Sequence, residues 1–178
     1  MPVTNIILFY ATFIFIFLAG IAIYLFFFNK KTQSLRDKFF KQTNDFKPTV
    51  IKNIKLRYWT TRGTPTYTKT QISPNNKCDI YLFDNYLAII RRQDFIFKAF
   101  FAPVIITSDA INLKSTFDYL EIHKPTLIHF SSIKKGEIEI KLPDPIYKTV
   151  RIDITLQGLT NEQTNQLEKI KHWADTYN

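Results

Sequence analysis

Ile6-Ile7-Leu8-Phe9-Tyr10-Ala11-Thr12-Phe13-Ile14-Phe15-Ile16-Phe17-Leu18-Ala19-Gly20-Ile21-Ala22-Ile23-Tyr24-Leu25-Phe26-Phe27-Phe28 carries no charged side chain. As a helix rising about 1.5 Å per residue it spans roughly 34 Å, enough to cross a hydrocarbon core of about 30 Å. The run is apolar all the way round, which suits lipid better than a protein interior, where a helix of this length keeps a polar stripe. Tyr10 and Tyr24 stand near its two ends, where headgroup belts favour such rings. A cleavable signal peptide would need a basic n-region and a shorter apolar core. Here no Lys or Arg precedes the run, and only Ala19, Gly20 and Ala22 offer a peptidase small residues. The reading is a single-pass transmembrane anchor with no Gly-xxx-Gly dimerisation signal.

The flanks give an orientation. Only the terminal amine precedes the run, whereas Lys30, Lys31, Arg36, Lys38 and Lys41 follow it. The side richer in Lys and Arg usually stays in the cytoplasm, so the N-terminus is expected outside and the remaining chain in the cytoplasm.

Net charge is +9. From Lys30 to Lys77 twelve bases face two acids (Asp37 and Asp45), and the rest of the chain is nearly balanced. The excess therefore belongs to the segment nearest the membrane. An anionic leaflet attracts such residues by about 1 kcal/mol per Lys or Arg close to its surface. Nucleic acid, the other usual partner of a high pI, is not expected, because the tether already accounts for the charge.

Residues 1–29 thus read as the anchor and 30–48 as a basic juxtamembrane connector. In the connector Leu35, Phe39 and Phe40 fall on one side of a helix with Arg36, Lys38 and Lys41 beside them. Two readings fit. One is an interfacial helix with its rings in the headgroup boundary, the other a solvated extension of the anchor. Lys47-Pro48 ends either, since the residue before proline disfavours the α region.

From Thr49 the period becomes alternating. Ile54, Leu56 and Tyr58 share one strand face, with Lys55, Arg57 and Trp59 on the other. Thr66 to Ile72 is expected to return after the turn at Arg62-Gly63-Thr64-Pro65. Cys78 to Phe83 and Tyr86 to Arg91 form a hairpin about Asp84-Asn85, residues that tolerate positive φ. Pro103 to Thr107 and Phe117 to Ile122 are expected as short strands, and Thr126 to Ile133 with Glu137 to Leu142 as a second hairpin. Val150, Ile152, Ile154 and Leu156 alternate with Arg151, Asp153 and Thr155 in the cleanest strand of the chain. A final helix starts at Thr160, with Gln163 placed for a capping box, and carries the apolar stripe Leu167, Ile170, Trp173, Ala174 and Tyr177.

About seven antiparallel strands closed by one C-terminal helix give a mainly β (α+β) domain over 49–178. That order resembles the pleckstrin-homology-like (PH-like) fold, in particular small bacterial PH-like domains that follow transmembrane helices. The residues that carry the resemblance are Tyr81-Leu82-Phe83-Asp84-Asn85-Tyr86-Leu87-Ala88-Ile89-Ile90, the strand Val150 to Leu156, and the helix Thr160 to Tyr177 with Trp173 late in it. The resemblance implies a barrel of two bent sheets with the helix plugging one open end, and a non-catalytic binding module. Eukaryotic PH domains that bind phosphoinositides set a Lys near the end of the first strand and a basic-x-basic pair on the second. Here Lys52, Lys55 and Arg57 share the first strand and the second offers only Lys69. Two readings of Lys52, Lys55, Arg57, Arg62 and Lys69 remain: a basic face turned, with Lys30 and Lys31, towards anionic lipid, or an ordinary solvated strand face.

Catalytic motifs are missing from the sequence. Gly20, Gly63, Gly136 and Gly158 are isolated, so no phosphate loop exists, and no Gly-x-Ser-x-Gly elbow occurs. His123, His129 and His172 lack a ligand spacing, and Cys78 is the lone cysteine. No enzyme, metal or cofactor is expected. The aromatic patch Phe95-Ile96-Phe97-Lys98-Ala99-Phe100-Phe101 is a partner surface if Phe95, Phe97, Phe100 and Phe101 are exposed, and core if they are buried. Two functions follow: a module contacting a membrane protein or anionic headgroups, or a protective (immunity-type) or structural envelope protein.

Overall fold

The apolar run does not stop being helical at its charged flank. In the computed structural model, which describes residues 3–62, 68–71, 76–94, 98–131, 136–143 and 150–174, one helix, α1, runs over Val3–Gln42. Its described apolar half is exposed on every side, and it is long and apolar enough to cross a membrane. Three features end it: Thr43, whose backbone N–H and hydroxyl both return to the Phe39 carbonyl, a turn at 43–45, and Pro48.

The remainder is mainly β. The strands are β1 Thr49–Arg62, β2 Thr68–Gln71, β3 Asn76–Leu82, β4 Tyr86–Asp94, β5 Lys98–Phe100, β6 Val104–Thr107, β7 Glu121–His123, β8 Leu127–Phe130, β9 Glu137–Pro143 and β10 Val150–Gln157. A short helix α2, Ala110–Thr116, lies between β6 and β7, and α3, Asn161–Leu167, leads into a 3-10 turn over Glu168–Trp173. The sheet runs β7-β6-β4-β3-β1-β10-β9-β8, with β2 added to β1 and β5 to β4. It curls into a half-barrel. β1 is the corner, because its 14 residues pair with β3 and then β2 along one edge and with β10 along the other.

Alternation decides what faces inward. Leu56 pairs with Leu156 and Tyr58 with Ile154, while Ile154 pairs with Ile140. Ile80 pairs with Ile89 and Leu82 with Leu87. These side chains fill the inner face, and Leu159, just before the C-terminal helix, closes over it together with Leu167, Ile170 and Trp173. The capping box is formed: the Gln163 N–H donates to the Thr160 hydroxyl at 3.2 Å, and the Thr160 N–H donates to the Gln163 side chain at 2.9 Å.

Several expectations change. The described residues hold ten strands rather than seven, two of them short additions. The sheet is mixed, because β7 pairs with β6 in parallel. The expected strand from Phe117 to Ile122 is instead a turn followed by β7, and the helix before it was not expected. The Asp109 side chain accepts from the Asn112 N–H at 3.3 Å and starts α2, so the chain crosses over before re-entering the sheet, as a parallel pairing requires. The last helix tightens to a 3-10 turn after Leu167.

β6 is buried at all four positions, because the outer face of this part of the sheet is covered as well. Phe39 of α1, fully buried, forms a second apolar cluster with Phe83, Tyr86, Ala88, Ile105, Leu113 and Phe117. The Phe39 ring lies 6.2 Å from Phe83 and 5.7 Å from Phe117, and Phe40 meets Tyr81 at 5.1 Å. Lys38 Nζ sits 3.7 Å over the Tyr119 ring, and the Tyr119 hydroxyl donates to the Gln42 side chain. The interfacial-helix reading of Phe39 is therefore overturned. Its ring goes into protein, and the cationic stripe Lys30, Gln33, Ser34, Asp37, Lys38 and Lys41 is what α1 leaves outward.

Candidate lipid-facing site

β1 contains the feature on which its basic residues depend. Strict alternation would put Ile51 and Ile54 on opposite faces, yet both are buried. A bulge between them solves this: Asn53 takes φ 62, the left-handed region that Asn visits more readily than most residues, and the register with β3 shifts there. The Asn53 N–H donates to Asp79 Oδ1 at 2.9 Å, and Arg92 donates to Asn53 Oδ1 at 2.6 Å. One extra residue leaves Lys52 and Asn53 exposed together and lets Lys55 and Arg57 resume the outward positions.

The register then extends the basic group across three strands. Lys55 pairs with Lys77, Lys77 with Arg92, and Arg92 with Phe100. Directly opposed residues share a face, so Lys55, Lys77 and Arg92 form a row on the outer face, with Arg57 two positions along from Lys55. Like charges directly opposite destabilise a sheet by themselves. Asp79, two positions along from Lys77, supplies the negative charge inside the group. Sequence reasoning missed Lys77 and Arg92, because strand pairing is not visible in one strand's period.

Arg91, one residue before Arg92, points to the other face. Its guanidinium lies 4.5 Å from the Tyr58 ring centroid and 4.9 Å from that of Phe101, held between two π faces. Phe101 donates its N–H to the Arg91 carbonyl at 3.0 Å, and its ring meets Phe28 edge-on at 6.2 Å. Phe28 is the last residue of the apolar run. The end of the sheet that carries the basic row therefore adjoins the point where α1 leaves its apolar span.

Comparison with protein-family models, curated proteins and solved structures finds no match to this chain. The site has to be read from its own chemistry.

Of the residues expected to meet lipid, Lys30, Lys31, Lys52, Lys55 and Arg57 are exposed. Arg62 and Lys69 lie in β1 and β2, and their side chains lie outside the described residues. Of the aromatic patch, Phe95 and Phe97 lie outside the described residues, Phe100 belongs to β5, and Phe101 is half-buried between Phe28 and Arg91.

Other polar groups near the sheet are tuned by burial. Cys78 is fully buried opposite Arg91, and desolvation, reinforced by Asp79, pushes its thiol well above the usual range. Tyr86 is pushed up to about 12, first by desolvation and then by Tyr119. Tyr81 and Tyr119 are raised for the same first reason. Each of these groups stays neutral at physiological pH. His123 is buried with Nε2 3.8 Å from Glu121, while His129 is exposed on β8. Among the described residues no group of three His, Cys, Asp or Glu is placed to hold a metal.

Proposed function

We propose that this protein is a non-catalytic, single-pass membrane protein whose cytoplasmic PH-like domain is held against the bilayer and contacts anionic headgroups through the outer-face basic row. One observation carries the reading. The strand register lines Lys55, Lys77 and Arg92 up with Phe100, next to the Phe101 ring that touches Phe28 at the end of the apolar span. Phosphates lie at that level, and Lys30 and Lys31 flank it. The PH-like assignment draws support from the corner strand β1 and from the C-terminal helix seated on the inner face. The cytoplasmic orientation draws on the five bases that follow the apolar run. The non-catalytic reading draws on Cys78, whose buried, protonated thiol is a poor nucleophile.

The test uses the full chain in nanodiscs, either zwitterionic or containing phosphatidylglycerol, with acetylation of individual lysines read by mass spectrometry. Lys55 and Lys77 are expected to be protected in anionic discs relative to Lys114 on α2, and released near 1 M salt, where the screening length falls to about 3 Å. Equal modification in both discs would remove lipid from the proposal and leave a protein partner for this face. Alkaline-phosphatase activity in a C-terminal fusion would reverse the orientation.

A further inference from the structure

We propose that Arg91 is the anchor of a binding site for a phosphate group, on the face of the sheet opposite to the basic row. The argument is one of a missing counter-charge. Arg91 is half-buried, and its Nε is fully buried with no hydrogen-bond partner. What the guanidinium meets is aromatic: the Tyr58 ring at 4.5 Å and the Phe101 ring at 4.9 Å. Rings so placed attract the cation without supplying the oxygen acceptors that its N–H groups need.

Among the described residues no carboxylate forms an ion pair with Arg91. Directly opposite it on β3 stands Cys78, whose thiol desolvation keeps neutral. Ile89, two positions back along β4 on the same face, is buried and apolar. Asp79, next to Cys78, belongs to the other face, where it accepts the Asn53 N–H. A charge taken this far from water without a partner lowers stability until an ion completes it. With rings over the guanidinium, its edge is what remains to bond. That edge is a planar fork of donors, matched to a phosphate or carboxylate through two parallel bonds. Position favours the phosphate. Phe101 meets Phe28, the last residue of the apolar run, at 6.2 Å, and lipid phosphates lie just outside the hydrocarbon that such a run spans. Phosphate in solution offers the same chemistry, so the test separates the two sources.

The inference rests on the surroundings of Arg91 and not on Lys55, Lys77 or Arg92, so it and the headgroup reading of the outer row fail separately. Its test is the unfolding midpoint of the full chain, read by near-ultraviolet circular dichroism, for the natural sequence and for Arg91→Gln. Three media are compared: phosphate-free maltoside micelles in chloride, the same micelles in inorganic phosphate at equal ionic strength, and phosphatidylcholine nanodiscs in chloride. Phosphatidylcholine carries a phosphate and no net charge. Ligand at about ten times its dissociation constant raises the folded-to-unfolded ratio about elevenfold. For a domain of this size that is a rise of roughly 3–6 °C. The natural sequence is expected to gain this much over Arg91→Gln, relative to micelles in chloride. A gain in the discs makes lipid a source of the phosphate, and a gain in phosphate buffer makes solution one. The same difference between the two proteins in all three media is what a purely structural arginine gives, and it overturns the inference. Where Arg91→Gln does not fold, Arg91→Lys decides. It keeps a cation but not the fork and is expected to lose most of the gain; an undiminished gain there overturns the inference as well.

Discussion

Replacing Phe39 by alanine separates two fates for the same aromatic ring. Phe39 has 0% exposure and sits among the rings of Phe40, Phe83 and Phe117 at 5.6, 6.2 and 5.7 Å. Truncating a phenylalanine in such a site costs about 3–5 kcal/mol. The inner core contains no residue of α1, so the loss falls on the docking of α1 rather than on closure of the half-barrel. A cost of about 3 kcal/mol multiplies the undocked population by roughly a hundred. Once undocked, the turns from Thr32 to Thr43 lose the packing that holds them and fray from the Thr43 end. Hydrogen exchange of the full chain in nanodiscs reads this directly: amides of 32–43 are expected to exchange about a hundredfold faster in Phe39→Ala, and trypsin to cut after Lys41, while β9 and β10 keep their protection. Phe15→Ala, at a position 73% exposed in the apolar half, is the matched control and is expected to change neither. Unchanged exchange over 32–43 in Phe39→Ala would refute the docking, and would return the ring to the headgroups.

Gly136→Ala is expected to destabilise the domain by about 2–4 kcal/mol, since Gly136 takes φ +83 and an added Cβ would fall 2.1 Å from the Leu159 carbonyl oxygen; a melting point roughly 10 °C lower in detergent is the measurement, and an unchanged one would discredit that close approach. Thr160→Ala removes one half of the capping box and is expected to cost about 1 kcal/mol, a fall of roughly 3–5 °C, whereas Thr160→Ser is expected to keep most of the stability. Burial raises the folded-state value of Cys78 above its ordinary 9.0, so the contribution is intact below pH 9 and is lost as pH rises, when the unfolded thiol ionises first. Denaturant midpoints are expected to fall from pH 9 upwards by at most about 1.4 kcal/mol per unit for this group, with Tyr86 adding to the fall between its ordinary 10.0 and about 12. Cys78→Ala should flatten the first part of that slope and Tyr86→Phe the second.

What the sequence made legible was whatever depends on one element's own period. The apolar run from Ile6 to Phe28, the alternation of Val150 to Leu156 and the box Thr160–Gln163 are local patterns, and each forms the element its period demands. The additions were not legible for the same reason. β5 and β7 have only three residues each, too few to show a period. The helix α2 is signalled only by Asp109 and Asn112, two residues equally at home in a turn. The bulge at Asn53 is a register event that exists only between two strands.

The apolar stripe Leu35–Phe39–Phe40 shows a deeper limit. A helix face that will enter lipid and one that will dock on protein carry the same hydrophobic period, because burial by either removes the same apolar area from water. What decides between them is the partner surface, here Phe83 and Tyr86 at the β3–β4 turn and Phe117 after α2, two separate places in the chain. The same logic runs the other way for the basic residues. Read along β1, Lys55 and Arg57 are an ordinary solvated strand face. Lys77 and Arg92 turn that face into a row only when β3 and β4 are laid beside it, and only the contact of Phe101 with Phe28 brings the row next to the end of the apolar run. The basic row is a property of strand register combined with helix docking. Substitutions that shift either, at Asn53 or at Phe39, should therefore disturb the surface without touching a single lysine on it.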